Sequence, residues 1–322
     1  MKPVTLVALL GIALLSTGCF GDPPAASGVR AYALDSNGNI VLAYADGSGP
    51  YLDHAGPGSL WLLNNGAVHA LPTPPGSASV PQIEGDLVYF LSTSIDSGSK
   101  TAYRSAVWSV ELDGTNLTQQ TGWVPYAMAF APLGDGRFLV AHEDTATHYL
   151  PFQGNRPQEL DLYVVDLHQD SRITHGNYAF VGNMYATGER QVIFAAYTRI
   201  DAPLRSYTID ARLRDGPKPL VIDGQEIEAT TCYLAGDGTI TWVDGWPVST
   251  VRTSSSSANS SRRLDAINRE TWRASHLCAA PGEAGVYFLR DFENCCDDVH
   301  TALWFKPAGE QPHRVYPSKQ VA

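Results

Sequence analysis

The sequence predicts an all-β protein, a six-bladed β-propeller of four-stranded antiparallel blades that occupies residues 29–322. Composition favours many short strands and tight turns, because only 17% of the 322 residues are charged while 29 are Gly and 21 are Pro. No apolar stripe at helical spacing is longer than two turns. The stronger argument is a strand pattern that recurs along the whole chain, since such repeats are typical of propellers and solenoids.

Two kinds of strand alternate along the sequence. A three-residue signature marks one strand of each repeat, at 59–61, 106–108, 161–163, 205–207, 263–265 and 302–304. An apolar strand precedes each signature, at 40–45, 87–91, 138–141, 192–196, 239–243 and 286–289. Most of these apolar strands follow a polar turn such as Asn37-Gly38-Asn39, which indicates a β-hairpin. Each repeat therefore predicts a four-stranded blade, with 29–34 beginning the first blade and 313–316 ending the last.

Aromatic side chains occupy the last position of the signature in five repeats, namely Trp61, Trp108, Tyr163, Tyr207 and Trp304. The fifth repeat has Asp265 at this position. When sheets pack face to face, a large side chain is needed at the same position of each sheet, and each aromatic ring can bury about 150–250 Å² of surface. We therefore expect these rings to belong to the core rather than to stack on a ligand.

One stretch resembles a known repeat. It runs from Trp108 through the Asp113-Gly114 turn and Leu117-Thr118 to Phe130-Ala131-Pro132, the Asp135-Gly136 turn and an apolar strand. This order is similar to the repeat of TolB-type propellers, and residues 162–197 follow it more loosely. The resemblance implies the propeller fold. It implies less about function, because propellers include binding proteins and enzymes, and the α/β domain that precedes the propeller in TolB has no counterpart here.

The first residues predict export and lipidation. Lys2 precedes an apolar run, and residues 15–19 are Leu-Ser-Thr-Gly-Cys. This resembles a bacterial lipoprotein signal, with residues 1–18 removed, Cys19 acylated and 19–28 acting as a flexible tether. The run is shorter than the roughly 20 residues that span a bilayer. An ordinary signal peptide with a chance cysteine is the alternative. The expected location is the bacterial cell envelope, on the periplasmic or exterior side of a membrane.

The charge of the chain excludes one class of partner. Its 33 acidic residues outnumber the 22 Lys and Arg residues, for a net charge of −11. A nucleic-acid-binding protein would need a basic surface, so we expect no nucleic-acid partner. The acyl chains, rather than electrostatic attraction to anionic lipid, would hold the protein at the membrane. We expect a monomer.

Four further cysteines, Cys232, Cys278, Cys295 and Cys296, are candidates for disulfides, because their number is even and the protein is predicted to be exported. Cys232 and Cys278 each lie eight residues before the apolar strand of their repeat, so they take equivalent places in blades 5 and 6. The preferred pairing joins Cys295 and Cys296 to Cys232 and Cys278. A Cys295–Cys296 bond, incomplete pairing, or a metal site within 293–300 are the alternatives.

No catalytic residue, cofactor or metal ligand is assigned. His142 and His148 lack the four-residue spacing of a zinc protease helix, so 142–148 is expected to be a solvated loop. The low-complexity Ser-rich segment 254–261 is expected to be a mobile loop rather than a site.

Three functions remain open. The first is a binding module, not an enzyme, for an envelope protein or a small ligand, using long loops at about 46–58, 92–105, 142–160, 197–204, 244–262 and 290–301 on one face. The second is a hydrolase or lyase that uses a divalent ion on the central axis, which the mostly apolar innermost strands disfavour. The third is a structural protein of the envelope.

Overall fold

The computed structural model describes residues 27–46, 58–95, 103–144 and 159–316, with gaps at 177, 188–190, 200–201, 211, 213–214, 229, 235, 246–247, 256–260, 273 and 294–298. The predicted signal peptide, Cys19, Cys295 and Cys296 lie outside the described residues. In the part that is described, no helix is long and apolar enough to cross a membrane. The one α-helix of the described residues, α1, has four residues (Arg269–Trp272), and a 3₁₀ turn spans Pro281–Glu283. The all-β prediction is confirmed.

The described strands form one eight-stranded, one five-stranded, three four-stranded and one two-stranded sheet. Following the sequence repeats, we number successive groups of strands blades 1 to 6, and the eight-stranded sheet contains the strands of both blade 1 and blade 6. Blade 1 contains β1 (Ser27–Leu34), β2 (Ile40–Asp46), β3 (Gly58–Asn64) and β4 (Ala67–Leu71). Blade 2 contains β5 (Ser77–Glu84), β6 (Leu87–Ile95), β7 (Tyr103–Glu111) and β8 (Thr118–Gln119), and β9 (Val124–Pro125) also pairs with β7. Blade 3 contains β10 (Ala127–Gly134), β11 (Arg137–Glu143), β12 (Leu160–Val165) and β13 (Asp170–Arg172).

The second half of the chain repeats this order. Blade 4 contains β14 (Phe180–Thr187), β15 (Gln191–Tyr197), β16 (Arg205–Asp210) and β17 (Lys218–Pro219), followed by the small hairpin β18 (Val221–Ile222) and β19 (Gln225–Glu226). Blade 5 contains β20 (Thr230–Leu234), β21 (Thr239–Asp244), β22 (Val248–Ser255) and β23 (Arg262–Asn268). Blade 6 contains β24 (Ala274–Ala279), β25 (Gly285–Glu293), β26 (Val299–Pro307) and β27 (His313–Tyr316).

Tight turns between the first and second strands follow from local hydrogen bonds. In blade 1 the carboxylate of Asp35 accepts hydrogen bonds from the backbone N–H groups of Asn37 and Asn39, at 2.9 and 2.8 Å. Gly38 between them has φ +83°, which favours glycine. The predicted Asn-Gly turn is therefore stabilised because the Asp35 side chain accepts hydrogen bonds from N–H groups of the turn that have no backbone acceptor.

The core lies between the blades. One buried cluster joins Val41 and Leu60 of blade 1 to Phe90 of blade 2, and similar clusters lie between the later neighbours. Another includes Leu42 of blade 1 and Leu303 of blade 6, so the first and last blades also pack together. Each of the five signature aromatics packs against one of these clusters, which confirms their predicted core role.

The strand assignment predicted for blade 5 is wrong. The third strand is β22, reached from β21 by a turn that includes Gly245, and Arg252 stands opposite Trp242. Asp265 lies on the fourth strand, β23. The described residues of the predicted long loop at 244–262 are thus mostly strand, and Ser254 of the predicted Ser-rich loop is a buried strand residue. The reason is that β22 is rich in Ser and Thr, so it lacks the apolar pattern that marks the other third strands.

Candidate functional site

A cavity of about 340 Å³ lies at the centre of the propeller. The first strands of neighbouring blades contact one another around it, as β1 does with β5 and β10 with β14. Fifteen described residues line the cavity, nearly all from the C-terminal parts of the strands β1, β5, β10, β14 and β20. They are Tyr32, Ala33, Leu34, Pro81, Gln82, Ile83, Glu84, Gly85, Pro132, Tyr185, Ala186, Thr187, Cys232, Tyr233 and Gly236. Its volume falls within the range of about 300–1,000 Å³ that is typical of small-molecule sites.

The cavity lies at the end of the propeller where tight turns join first and second strands, since Gly85 and Gly236 of two such turns line it. The predicted binding face is the opposite end, where second and third strands are joined. Most of those long loops, including 47–57, 96–102 and 145–158, lie outside the described residues. From the sequence, the axis was considered only as the place of a divalent ion in the hydrolase or lyase alternative, and binding was expected on the long-loop face.

A β-bulge or pairing irregularity interrupts every first strand. The register shifts between Val29 and Ala31, Ser79 and Gln82, Ala127 and Ala129, Gly182 and Tyr185, Thr230 and Cys232, and Ser275 and Cys278. Extra residues on one strand disrupt the ladder and change the direction in which the following side chains point. The bulges therefore explain how residues such as Gln82 and Tyr185 come to line the axis.

Axial side chains donate hydrogen bonds to carbonyls at these bulges. The Tyr32 hydroxyl donates to His276 O of blade 6 at 2.5 Å, and the Tyr185 hydroxyl makes a long bond to Thr231 O of blade 5 at 3.5 Å. The Gln82 amide nitrogen donates to Met184 O of blade 4 at 2.9 Å and to a second carbonyl on β10. Carbonyls left without ladder partners are thus satisfied from other blades, which holds the axial side chains in place.

The chemistry of the cavity wall follows from these bonds. The polar hydrogens of Tyr32, Gln82 and Tyr185 are committed to backbone carbonyls, and the Thr187 hydroxyl donates to Gln191 O at 3.2 Å. What these side chains can still offer a ligand is oxygen lone pairs.

Three tyrosine rings give the cavity its aromatic character. The rings of Tyr185 and Tyr233 lie 6.1 Å apart between centroids. Burial raises the pKa of Tyr185, and burial together with the nearby phenols of Tyr185 and Tyr287 raises the pKa of Tyr32 well above its usual value. Both phenols therefore remain neutral at physiological pH, with intact hydroxyl donors.

Glu84 is the carboxylate among the described lining residues. Its side chain is exposed at the rim, where partial desolvation by its neighbours raises its pKa. Among the residues described, no three His, Cys, Asp or Glu side chains are grouped in a way that could hold a metal ion. The sequence alternative of a metal site in 293–300 lies largely outside the described side chains.

Cys232 and Cys278 form a disulfide with each other, with their Cα atoms 5.1 Å apart. The bond joins β20 to β24, the first strands of blades 5 and 6. The preferred pairing of these cysteines with Cys295 and Cys296 is therefore wrong, although their predicted equivalent placement is confirmed. Equivalent positions on neighbouring first strands lie close together near the axis, and this signal was present in the matched eight-residue spacings.

His142 is buried rather than part of a solvated loop. It is the last but one residue of β11, its ring stacks on Tyr163 at 3.7 Å between centroids, and its Nε2 lies 3.2 Å from Asp170 Oδ1. Residues 145–148 of the predicted loop lie outside the described residues. Packing inside blade 3 accounts for this histidine.

No protein-family model matches this chain, and no curated protein matches its sequence. Among solved structures it is similar to TolB from Acinetobacter baumannii, with a TM-score of 0.54 and 14% identity over 85% of this chain. The match covers 62% of the TolB chain, less than two thirds of its length. An oligogalacturonate lyase in complex with manganese matches over 91% of this chain and 76% of its own, with a TM-score of 0.50 and 13% identity. The chain has the β-propeller fold. At these identities the matches show the fold alone.

Proposed function

We propose that this chain is a lipoprotein of the bacterial cell envelope, acylated at Cys19, whose propeller binds a small ligand in the axial cavity without catalysing a reaction. The axial cavity is the observation that carries the binding function. It is small-molecule-sized, and side chains from several blades fix its wall through cross-blade hydrogen bonds. A wall held in this way is pre-organised, which lowers the entropic cost of binding.

The lining favours binding over metal-dependent catalysis. A central divalent ion needs several carboxylate, Asn or His ligands that converge on the axis. Glu84 is one carboxylate at the rim, and the other described lining residues are apolar or neutral. An envelope protein that docks on the long-loop face, the other partner considered from the sequence, remains an expectation.

Blocking the cavity tests the binding function. We expect native mass spectrometry of the mature protein, gently purified from its host membrane, to show a bound small molecule. Glu84→Trp should abolish this mass shift, because a bulky ring at the rim fills the mouth while its exposed position tolerates the change. The matched control is Glu310→Trp, at an exposed residue of the turn between β26 and β27, which should keep the ligand. Equal occupancy in both variants, or no ligand in any form, would contradict the proposal.

The lipid anchor has its own test. Cys19→Ser should abolish labelling with radioactive fatty acid and release the protein from the membrane fraction, because the acyl chains supply the membrane affinity. Cys296→Ser is the control, since it also replaces one cysteine but leaves the predicted lipidation site and the Cys232–Cys278 disulfide unchanged. Unchanged membrane partitioning of the Cys19→Ser variant would contradict the anchor.

A further inference from the structure

The wall of the axial cavity accepts hydrogen bonds. Gln82 and Tyr185 donate their polar hydrogens to backbone carbonyls, as described above, so the polar groups that these side chains have left for a ligand are oxygen acceptors. The Glu84 carboxylate at the rim is also an acceptor. A ligand that carries donors or positive charge would therefore meet suitable partners, whereas an anion would meet these acceptor oxygens and the negative charge of Glu84.

The aromatic rings favour the same kind of ligand. Tyr32, Tyr185 and Tyr233 come from blades 1, 4 and 5, so their rings approach the cavity from different directions. The face of an aromatic ring is electronegative and attracts a cation that lies within about 6 Å of its centroid. Rings around one cavity can therefore stabilise an organic cation that has little capacity for hydrogen bonding.

The charge of the cavity lining and of the whole chain also favours a cationic ligand. None of the fifteen described lining residues is Lys, Arg or His, while Glu84 supplies a negative charge. The whole chain carries a net charge of −11. A field of this sign attracts cations toward the molecule and lowers the local concentration of anions.

We propose that the axial cavity binds a small organic cation, such as a quaternary ammonium ion or a protonated alkylamine. This inference rests on the proposed ligand-binding function and specifies the class of its ligand. The rings of Tyr32, Tyr185 and Tyr233 contact the apolar part of the cation, and the Glu84 carboxylate balances its charge at the rim.

Ligands of one shape and different charge test the inference. Calorimetric titration of the mature Cys19→Ser protein would compare choline with neohexanol, its uncharged carbon isostere. It would also compare choline with tert-butylacetate (3,3-dimethylbutanoate), an anion of similar shape. Tetramethylammonium and a primary alkylammonium ion complete the set of cations. At least one cation should bind about tenfold more tightly than neohexanol, and tert-butylacetate should not bind.

Variants assign the preference to the named residues. Glu84→Gln should weaken binding of the cation about three- to tenfold and leave neohexanol unchanged, because it removes charge but keeps shape. The control Glu310→Gln removes an exposed charge from the turn between β26 and β27 and should have little effect. Tyr185→Leu should remove most of the preference for the cation, while Tyr185→Phe, which keeps the ring, should retain most of it.

The outcomes separate the two proposals. If no cation of the set binds more tightly than neohexanol, or if the anion binds more tightly than every cation, the cation inference is overturned. If native mass spectrometry still shows a ligand that Glu84→Trp excludes, the binding function survives that result. If no molecule occupies the cavity in any experiment, both proposals fail.

Discussion

Gly28 lies so close to the backbone of Thr301 that no side chain fits between them. A Cβ atom at Gly28 would be 2.4 Å from Thr301 O and 2.6 Å from Thr301 N, and Gly28 has φ +118°. The contact is a short parallel pairing, in which Ser27 and Gly28 of β1 lie beside His300 and Thr301 of β26. The start of the propeller is therefore attached to the third strand of the last blade. Further along the same edge β26 pairs with β27, and its other edge pairs with β25.

Gly28→Ala should destabilise this attachment. The methyl group must displace the backbone of β26, and the alanine must adopt a φ that is unfavourable for it. We therefore expect a loss of about 2–4 kcal/mol in the free energy of unfolding. Gly66→Ala is the matched control, because Gly66 has φ +78° but no neighbouring atom within 4 Å of a Cβ. It should cost only about 1 kcal/mol. Urea unfolding of both variants checks this, and equal losses would show that the close contact is unimportant.

The second and third strands of most blades were predictable because their signals are local. Polar turns such as Asn37-Gly38-Asn39 determine where hairpins form, and β27 begins and ends at the predicted residues, 313 and 316. Blade 5 shows the limit of this signal, since the Ser- and Thr-rich β22 is fixed by pairing with β21 rather than by its own apolar pattern.

The disulfide between Cys232 and Cys278 gives a second prediction. The double variant Cys232→Ser, Cys278→Ser should lose about 2–4 kcal/mol of stability, because the bond closes a chain segment with a sequence separation of 46 residues. Peptide mapping under non-reducing conditions should recover one linked peptide that contains these two cysteines. In the control, Cys295→Ser with Cys296→Ser, this linked peptide should remain. A peptide that links Cys232 to Cys295 or Cys296 would instead support the pairing preferred from the sequence.

Asp161 gives a third prediction. It is 1% exposed and accepts hydrogen bonds from Thr174 Oγ1 at 2.8 Å and the Gly176 N–H at 2.7 Å, in addition to an ion pair with Arg172. Asp161→Asn should lower the free energy of unfolding by about 3–5 kcal/mol. It leaves Arg172 without its buried partner, and it places the amide N–H group of the new side chain against groups that are themselves donors.

The control for Asp161 is an exposed pair of the same residue types. Asp135 and Arg137 lie in the turn of blade 3, where their side chains are 65% and 45% exposed. Asp135→Asn should change stability little, since water screens the pair. Thermal unfolding of both variants would test the contrast, and a small loss in both would mean that the Asp161 network is not a stabilising one.

The axial site could not be predicted from strand alternation. A strand alternates its faces with a period of two, but a bulge adds residues and reverses this order beyond it. In β5 the irregularity falls between Ser79 and Gln82, so the sequence alone does not show that Gln82 points to the axis. In addition, its partner Met184 O is 102 residues away, a relationship that arises only from the arrangement of the blades.

Gln82 gives the last prediction. Its side-chain nitrogen ties β5 to β10 and β14 by donating to Phe130 O and Met184 O. Gln82→Met keeps much of the volume but leaves two carbonyls without a donor, and should cost about 1–3 kcal/mol at any pH. Gln82→Glu replaces the donors with a buried carboxylate beside two carbonyl oxygens, so it should cost more than about 3 kcal/mol at pH 7.

The two variants differ in their pH dependence. Burial near carbonyl oxygens raises the folded-state pKa of Glu at position 82 above its unfolded value of about 4.3. Because a raised folded pKa favours folding only while the group is protonated, Gln82→Glu should approach Gln82→Met in stability near pH 4. It should lose stability, relative to wild type, as pH rises through the folded pKa. Urea unfolding at both pH values measures this, with Gln225→Glu on the exposed strand β19 as control. A Gln82→Glu loss that does not change with pH would show that its carboxyl group escapes to solvent, and that Gln82 is not held at the axis by its two carbonyl partners.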